Sequence, residues 1–178
     1  MNYRIDSTTG KKESFASVKE RSTRAAIHMN KLGINPEDVI LFCSRNTLNS
    51  IIPVLASLYL GAKVASTDPT LSVRDCAHCI SLVTPRFIFV EQDSVNLIED
   101  SLLEAKFKAN IIVIGESVIY KKFSDLQSAS SEEEKFRPIL NVDCHDTAFI
   151  YFSSGTTGLP KGICLTHFGL LNSVLSML

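Results

Sequence analysis

The sequence has almost no net charge and no segment suited to enter a membrane. Its 18 Lys and Arg residues balance 19 Asp and Glu residues, so the formal charge is -1 and no overall positive field attracts nucleic acid or an anionic membrane. Residues 1–12 are polar around Asp6, where a secretory signal peptide needs an uninterrupted apolar stretch. The most apolar stretch, residues 51–65, contains Pro53 and is shorter than the run of about 20 residues that crosses a bilayer. We expect an intracellular protein, cytoplasmic or peroxisomal, with no membrane span and no nucleic-acid partner.

The cysteine pattern lacks both a disulfide framework and a complete zinc motif. The five cysteines are odd in number and lie among apolar neighbours, which favours a reducing compartment. They are Cys43, Cys76, Cys79, Cys144 and Cys164. A zinc site built on Cys76, His78 and Cys79 needs a second ligand pair at a characteristic spacing, and none follows. We therefore interpret these three residues as part of a helix and predict no metal site.

Two histidine positions are open to a catalytic interpretation that the local pattern does not favour. His145 and Asp146 resemble a base and its orienting group, but adjacent residues of an extended segment point to opposite faces. We interpret them as polar groups at the entry to a strand. His167 follows Thr166, a good helix N-cap, so a role at a helix start fits its position at least as well as contact with an acyl substrate. No catalytic residue is assigned.

Apolar runs alternate with amphipathic stretches along most of the chain. The 178 residues, 45% of them hydrophobic, suit a folded domain with a core of its own. Helices are predicted over residues 15–32, 48–60, 72–83 and 95–107, strands over 39–43, 63–66, 87–90, 111–114, 149–152 and 162–165, and a last helix after residue 166. This alternation predicts an α/β fold with a mostly parallel sheet flanked by helices, whose ligands lie beyond the carboxyl ends of the strands.

The composition changes between residues 124 and 135. Ser, Gln, Glu and Lys dominate there, and Glu132, Glu133 and Glu134 are consecutive. Such a run is typical of a solvated surface segment, so we predict a loop or insertion.

One short segment combines the features of a phosphate-binding loop. Directly after a predicted strand, the chain reads Ser153, Ser154, Gly155, Thr156, Thr157, Gly158, Leu159, Pro160, Lys161 and Gly162. Gly155 and Gly158 permit positive φ and close approach of the main chain, so successive amides can converge on phosphate oxygens. The four hydroxyl side chains add donors without bulk, and Lys161 supplies a positive charge whose approach Pro160 stiffens. The segment suits a polyphosphate ligand.

Two other interpretations fit the same segment less well. A generic cluster of Gly, Ser and Thr is commonly a flexible turn, but it does not call for the charge of Lys161. The ATPase P-loop requires Gly where Pro160 stands and Ser or Thr where Gly162 stands. Each of these departures removes a phosphate or magnesium contact, which counts against the P-loop.

The segment from Ser153 to Gly162 resembles, residue for residue, the phosphate-binding signature of the adenylate-forming (AMP-binding) superfamily of acyl-CoA synthetases, 4-coumarate-CoA ligases and luciferases. Residues 146–151 resemble the strand that leads into that loop, and residues 165–167 resemble the segment after it. Residues 15–33 and 55–62 resemble the family's early helix and its buried helix ending in Gly-Ala. The resemblance covers nearly the whole chain.

The resemblance implies an acid-thiol ligase, although luciferase-like monooxygenases belong to the same superfamily. A fatty or aromatic carboxylate attacks the α-phosphate of Mg-ATP to give an acyl adenylate and pyrophosphate, and a thiol such as coenzyme A takes the acyl group. Ser153 to Lys161 match the loop that holds the β- and γ-phosphates, and Lys161 is the first choice among them. The expected partners are thus a small carboxylate and a nucleotide, with ATP, Mg²⁺ and coenzyme A as cofactors.

The resemblance also implies that residues 1–178 are incomplete for catalysis. In the family, the acceptor pocket, the adenine-binding segment, the ribose-binding aspartate and the C-terminal lid with its catalytic lysine all follow the signature, so we expect a partial AMP-binding N-terminal domain whose enzyme activity is left open. The alternative is a truncated, non-catalytic isoform that binds nucleotide weakly or serves as an interaction module. Self-association is expected through the apolar stripe of the last helix, which consists of Leu170, Leu171, Val174, Leu175 and Leu178.

Overall fold

The computed structural model describes residues 3–140, 142–153 and 158–176. The strands are β1 (Tyr3–Ile5), β2 (Lys12–Ser14), β3 (Val39–Cys43), β4 (Lys63–Thr67), β5 (Phe87–Glu91), β6 (Asn110–Ile114), β7 (Lys121–Lys122), β8 (Thr147–Ser153) and β9 (Lys161–Thr166). The helices are α1 (Phe15–Lys31), α2 (Ile51–Tyr59), α3 (Val73–Val83), α4 (Val95–Glu104) and α5 (His167–Leu175), with short 3₁₀ helices at Gln92–Ser94 and Phe123–Gln127.

Within the described ranges, strands β3 to β9 form one seven-stranded sheet in the order β7-β6-β5-β3-β4-β8-β9. All neighbours are parallel except β8 and β9, which run antiparallel. The α/β fold and the mostly parallel sheet are confirmed. The ten helices and strands predicted from residue 15 to residue 165 and the last helix are all present, with ends shifted by a few residues.

The central strands are buried on both faces, which explains their continuous apolar sequences. Along β3, Ile40 and Phe42 pack with α1 and α2, whereas Leu41 and Cys43 pack with α3 and α4. This alternation follows from the two-residue period of a strand. One sheet thus separates two apolar cores.

The aromatic side chains strengthen the core beneath α1 and α2. Phe42 and Phe89 stack with their ring centroids 5.2 Å apart, and Phe89 meets Phe123 edge to face at 6.0 Å. Phe123 begins the 3₁₀ helix that follows β7. Contacts between the rings therefore fix the edge of the sheet to its centre.

Helix ends follow the polar residues that the sequence offers as caps. The Ser14 and Ser72 hydroxyls accept hydrogen bonds from the third residue of α1 and α3 respectively. Thr166 does the same for α5, accepting from the Gly169 amide at 3.0 Å, as its position predicts. For α2 the cap residue is Ser50, and Pro53 lies in the first turn, where its missing N–H breaks no helical hydrogen bond.

Two regions differ from the sequence prediction. The N-terminal hairpin of β1 and β2 was not predicted, because its strands have three residues each and are too short to show a strand period. Residues 124–135 are largely exposed, as predicted, but they also dock on α1. Glu133 pairs with Arg24 at 3.0 Å, and Leu126 is buried. The Ser130 amide and Arg24 lower the pKa of Glu133.

Within the described ranges, every helix is too short or too polar to cross a membrane.

The cysteines divide into a buried and an exposed group. Cys43, Cys76 and Cys79 have no solvent exposure, and burial raises the pKa of Cys43 to about 12 and that of Cys79 to about 11. Burial also raises the pKa of Cys76. Cys144 and Cys164 are exposed. Because the thiolate is the reactive form, the buried group is expected to be inert.

We predict that a thiol reagent at pH 8 modifies two cysteines in the folded chain and all five after denaturation in guanidinium. The readout is intact mass after a short exposure. The Cys144→Ser, Cys164→Ser double variant controls the assignment and should stay unmodified until it is denatured. Rapid modification of that folded variant would contradict the burial of the remaining thiols.

Gly61, just after α2, is predicted to be the glycine most sensitive to substitution. Its φ is +73°, and an added Cβ would lie 2.8 Å from Val142 Cγ2 and 3.1 Å from Pro36 Cγ. Gly61→Ala should therefore lower the free energy of unfolding by about 1–3 kcal/mol, measured by urea denaturation.

Gly10→Ala is the matched control for Gly61→Ala. Gly10 has a similar φ of +69° but no neighbouring atom within 4 Å of the added Cβ. Gly10→Ala introduces only the backbone strain, so it should lower the free energy of unfolding by less than Gly61→Ala does. Equal losses in the two variants would show that the contacts with Val142 and Pro36 add nothing.

Candidate functional site

The predicted phosphate-binding segment connects the two antiparallel strands β8 and β9. Ser153 ends β8, Lys161 begins β9, and the two residues are paired across the strands. The segment therefore leaves the sheet at the carboxyl end of β8 and returns next to its point of departure. Ser153 and Lys161 form its base.

Five of the nine predicted site residues lie in the described ranges. They are Ser153, Gly158, Leu159, Pro160 and Lys161. The other four, Ser154, Gly155, Thr156 and Thr157, lie outside the described residues. Gly158 has a φ of +99° with no atom within 4 Å of a notional Cβ, so its backbone conformation rather than close packing calls for glycine. Lys161 is exposed, which leaves its charge accessible to a ligand.

Ser153, Gly158 and Pro160 of the segment border a cleft at the carboxyl edge of the sheet. The chain leaves β3 towards α2 on one face and leaves β4 towards α3 on the other. Adjacent parallel strands whose connections depart to opposite faces leave a crevice between them, where ligands of such sheets bind. The cleft has a volume of about 630 Å³. Its polar lining includes Ser44, Arg45, Asn46, Ser66, Thr67, Asp68, Thr70, Asp75 and Ser153.

The cleft contains charges of both signs. Asp68 Oδ1 accepts hydrogen bonds from the Thr70 hydroxyl at 2.7 Å and the Thr70 amide at 2.8 Å. These two bonds, and to a lesser degree the charge of Arg45, lower the pKa of the Asp68 carboxyl. Asp68 is therefore an anion held in place, and Arg45 is the cation available near it. Neither residue was predicted, although polar residues directly after two buried strands are the signal that could have identified them.

His78 contacts the phosphate-binding segment. On α3, Cys76 and Cys79 turn into the core, while half-buried His78 places Nε2 3.0 Å from the carbonyl oxygen of Pro160. The three side chains therefore do not converge on one point, in agreement with their interpretation as helix residues. The contact joins residues 82 positions apart in the sequence, so no local pattern indicates it.

The polar residues before β8 serve local structure. The Asp146 carboxylate accepts from the Asp143 amide at 3.2 Å, and the Asp146 carbonyl accepts from the His167 amide at 3.1 Å. The His145 ring lies against Phe168, with centroids 5.6 Å apart. Among the described residues, Asp143, Cys144 and His145 form the single group of three potential metal ligands, and all three are exposed. The roles of His145 and Asp146 at a strand entry agree with the prediction.

The arrangement is suited to binding a phosphate chain. A loop that starts and ends at paired strand residues can direct several backbone amides inwards, and Lys161 brings a positive charge to its base. The adjoining cleft offers room for the remainder of a ligand. A charge-assisted contact of this kind binds phosphate more strongly than neutral donors do.

Comparison with known proteins identifies the family. The family model described as AMP-binding enzyme matches residues 3–178. The chain is 31% identical over 153 residues to luciferin 4-monooxygenase from Photuris pensylvanica, covering 82% of this chain and 28% of that protein. It is 30% identical over 164 residues to 4-coumarate:CoA ligase 1 from Petunia hybrida, covering 90% of this chain and 29% of that protein.

A solved structure shares the fold closely. The luciferase-like enzyme from the nonluminescent mealworm Zophobas morio superposes with a TM-score of 0.93 at 50% sequence identity, covering 97% of this chain and 40% of that one. The chain spans less than a third of the length of each of the two curated relatives named above. Because the family model covers the chain from residue 3 to residue 178, the chain belongs to the family of AMP-binding, adenylate-forming enzymes.

Proposed function

We propose that residues 153–161 bind the β- and γ-phosphates of ATP, as part of an acid-thiol ligase that activates a fatty or aromatic carboxylate as an acyl adenylate. The observation that carries this proposal is the pairing of Ser153 with Lys161, which closes the base of the segment at the carboxyl end of β8. Membership of the AMP-binding family supports ATP as the nucleotide. The name of the Petunia hybrida relative supports an aromatic acid and coenzyme A as substrates.

In the proposed reaction, a carboxylate oxygen attacks the α-phosphorus of ATP and the bond to the bridging oxygen breaks. Pyrophosphate leaves with the electron pair, and a thiol later displaces AMP from the acyl adenylate. Lys161 and the amides of the segment stabilise the negative charge that grows on the departing pyrophosphate. Mg²⁺ would accompany the phosphates of the nucleotide and neutralise part of the same charge.

The described surface supports phosphate binding better than it supports a full catalytic cycle. The resemblance assigns the acceptor pocket, the ribose-binding aspartate and the lid lysine to sequence beyond the signature. Without groups that orient the α-phosphate and the carboxylate, the reacting atoms are not held in line. We therefore propose that residues 1–178 act as a partial AMP-binding domain that binds ATP without turning it over.

Lys161→Ala is predicted to weaken ATP binding to the 178-residue chain by about 10- to 100-fold, because it removes a charge-assisted contact with phosphate. Isothermal titration with Mg-ATP measures this effect. Lys121→Ala is the matched control, since Lys121 is an exposed strand lysine of β7 at the opposite edge of the sheet. Equal affinities of the wild type and Lys161→Ala for Mg-ATP would contradict the proposed role of Lys161.

Incomplete catalysis is tested separately by acid-dependent exchange of labelled pyrophosphate into ATP. A panel of fatty and cinnamic-type acids should give no exchange with the wild-type chain. Exchange that is lost in Lys161→Ala would show that these residues adenylate acids unaided, and it would overturn the proposal of a partial domain. Circular dichroism of each sample establishes that the chain is folded.

A second candidate function, self-association, is favoured by the surface formed by β9 and α5. Among the described residues, α5 buries none of its side chains, and β9 lies at the end of the sheet. A second copy of the chain could pair its β9 with this edge and cover the adjoining apolar side chains. The large exposed ones are Ile163, Phe168, Leu171, Val174 and Leu175.

We predict that the chain forms a dimer or larger assembly in light-scattering measurements and that Leu171→Glu shifts it to the monomer. Leu171 is 58% exposed on α5, and a charge there cannot be buried without a large cost. Leu103→Glu is the matched control, because Leu103 is 79% exposed on α4, away from this surface. A monomeric wild type, or the same effect from both variants, would contradict the proposed interface.

A further inference from the structure

We infer that His78 is a positioning residue that holds the exit of the phosphate-binding segment in place through the carbonyl group of Pro160. Its Nε2 lies 3.0 Å from that oxygen. A carbonyl oxygen only accepts hydrogen bonds, so Nε2 must carry the proton that is donated. The neutral form of His78 bound in this way is therefore the Nε2–H tautomer.

The contact acts on the backbone atom best placed to orient Lys161. Proline has no N–H, so its carbonyl is the one polar backbone group that Pro160 can use as an anchor. The Pro160 carbonyl and the Lys161 N–H belong to the same planar peptide group, which is trans and points them in opposite directions. Fixing the carbonyl against α3 therefore fixes the Lys161 N–H and the first residue of β9.

The helix that carries His78, α3, is held rigidly against the core. Its neighbours Ala77 and Cys79 are buried, so the helix cannot rotate without disturbing the core between α3 and the sheet. Ser72 caps α3 and also hydrogen-bonds the Asp75 carboxylate at 2.8 Å, which fixes the first turn below His78. A half-buried imidazole on such a helix offers a donor at a constant position.

His78 completes the restraint of the segment at its far end. The pairing of Ser153 with Lys161 is the last pair in the described register of β8 and β9, and Pro160 directly precedes it. His78 adds a contact to Pro160 from a different element of the fold. The segment is therefore held from β8 at its start and from both β8 and α3 at its end.

The tautomer gives a direct spectroscopic test on the wild-type chain. In a long-range ¹⁵N–¹H spectrum at pH 8, the Nε2 of His78 should show the shift of a protonated ring nitrogen and Nδ1 that of an unprotonated one. The opposite assignment would place the proton on Nδ1, where it cannot be donated to Pro160, and would overturn the inference.

Hydrogen exchange measures the restraint itself. His78→Phe keeps a ring but removes the donor, so the amides of Leu159, Lys161 and Gly162 should exchange about three- to tenfold faster, the factor expected for one lost hydrogen bond. His78→Gln places an amide N–H near the same position and should restore most of the protection. His28→Phe is the matched control. His28 lies on α1, and its Nε2 makes a similar contact with the Ser128 carbonyl oxygen at 3.1 Å.

The pattern of exchange separates positioning from general stability. Faster exchange confined to residues 159–162 in His78→Phe, with Gln close to wild type and His28→Phe unchanged there, supports the inference. Unchanged exchange in His78→Phe, or faster exchange spread equally over the core strand β3, overturns it.

The consequence for ligand binding rests on the proposed function, whereas the restraint does not. If the segment binds ATP, His78→Phe should weaken binding by a similar three- to tenfold factor and His78→Gln should restore it. Absence of ATP binding by the wild-type chain would refute the proposed function and leave the exchange result to decide the role of His78. Wild-type ATP affinity in His78→Phe, together with faster exchange, would refute the link between the restraint and binding.

Discussion

The parallel pairing of β8 with β4 is the interaction on which the candidate site depends. After β4, the chain builds the other half of the sheet through β5, β6 and β7, and only then does β8 return to the free edge of β4. The register sets Val64 opposite Phe149 and Ser66 opposite Tyr151. A slip of one residue would exchange the two faces of β8 and move apolar side chains between the two cores. The same register places Ser153 beyond the end of β4. The register that buries the core side chains therefore also positions the loop.

The order of the strands explains why a cleft lies beside that loop. Two helices cover one face of the sheet and two cover the other, and the change of face occurs between the connections after β3 and β4. The two connections diverge at that point, so neither covers the ends of the strands. Polar residues are tolerated at these strand ends because the hydrogen bonding between the strands has ended and solvent reaches the backbone. The phosphate-binding segment adds a third connection at the same edge, next to Asp68 and Arg45.

Much of this fold could be predicted from the sequence because its determinants are local. Continuous apolar runs such as residues 39–43 are typical of strands buried on both faces, and capping residues such as Ser72 and Thr166 mark helix starts. The segment after β8 was enough to identify the AMP-binding family. The β1–β2 hairpin was missed because it is short and polar, and its position depends on contacts such as Arg4 with the Thr47 carbonyl. Strand order was likewise beyond local patterns, because pairing joins residues far apart in the chain.

The same distinction between local patterns and distant contacts applies to His78. Its position next to two cysteines suggests a metal ligand, whereas its contact with Pro160 depends on the fold. On α3, Cys76 and Cys79 lie on the buried face and His78 points away from them, and the pairing of β8 with β9 places Pro160 next to His78. The restraint on the segment is therefore formed by elements that are 82 residues apart in the sequence. A loop whose ends are fixed in the free protein loses less entropy when it closes on a ligand than one whose ends must first be ordered. If the segment binds ATP as proposed, residues that never contact the phosphate, such as His78, also contribute to the affinity, although less than Lys161 does.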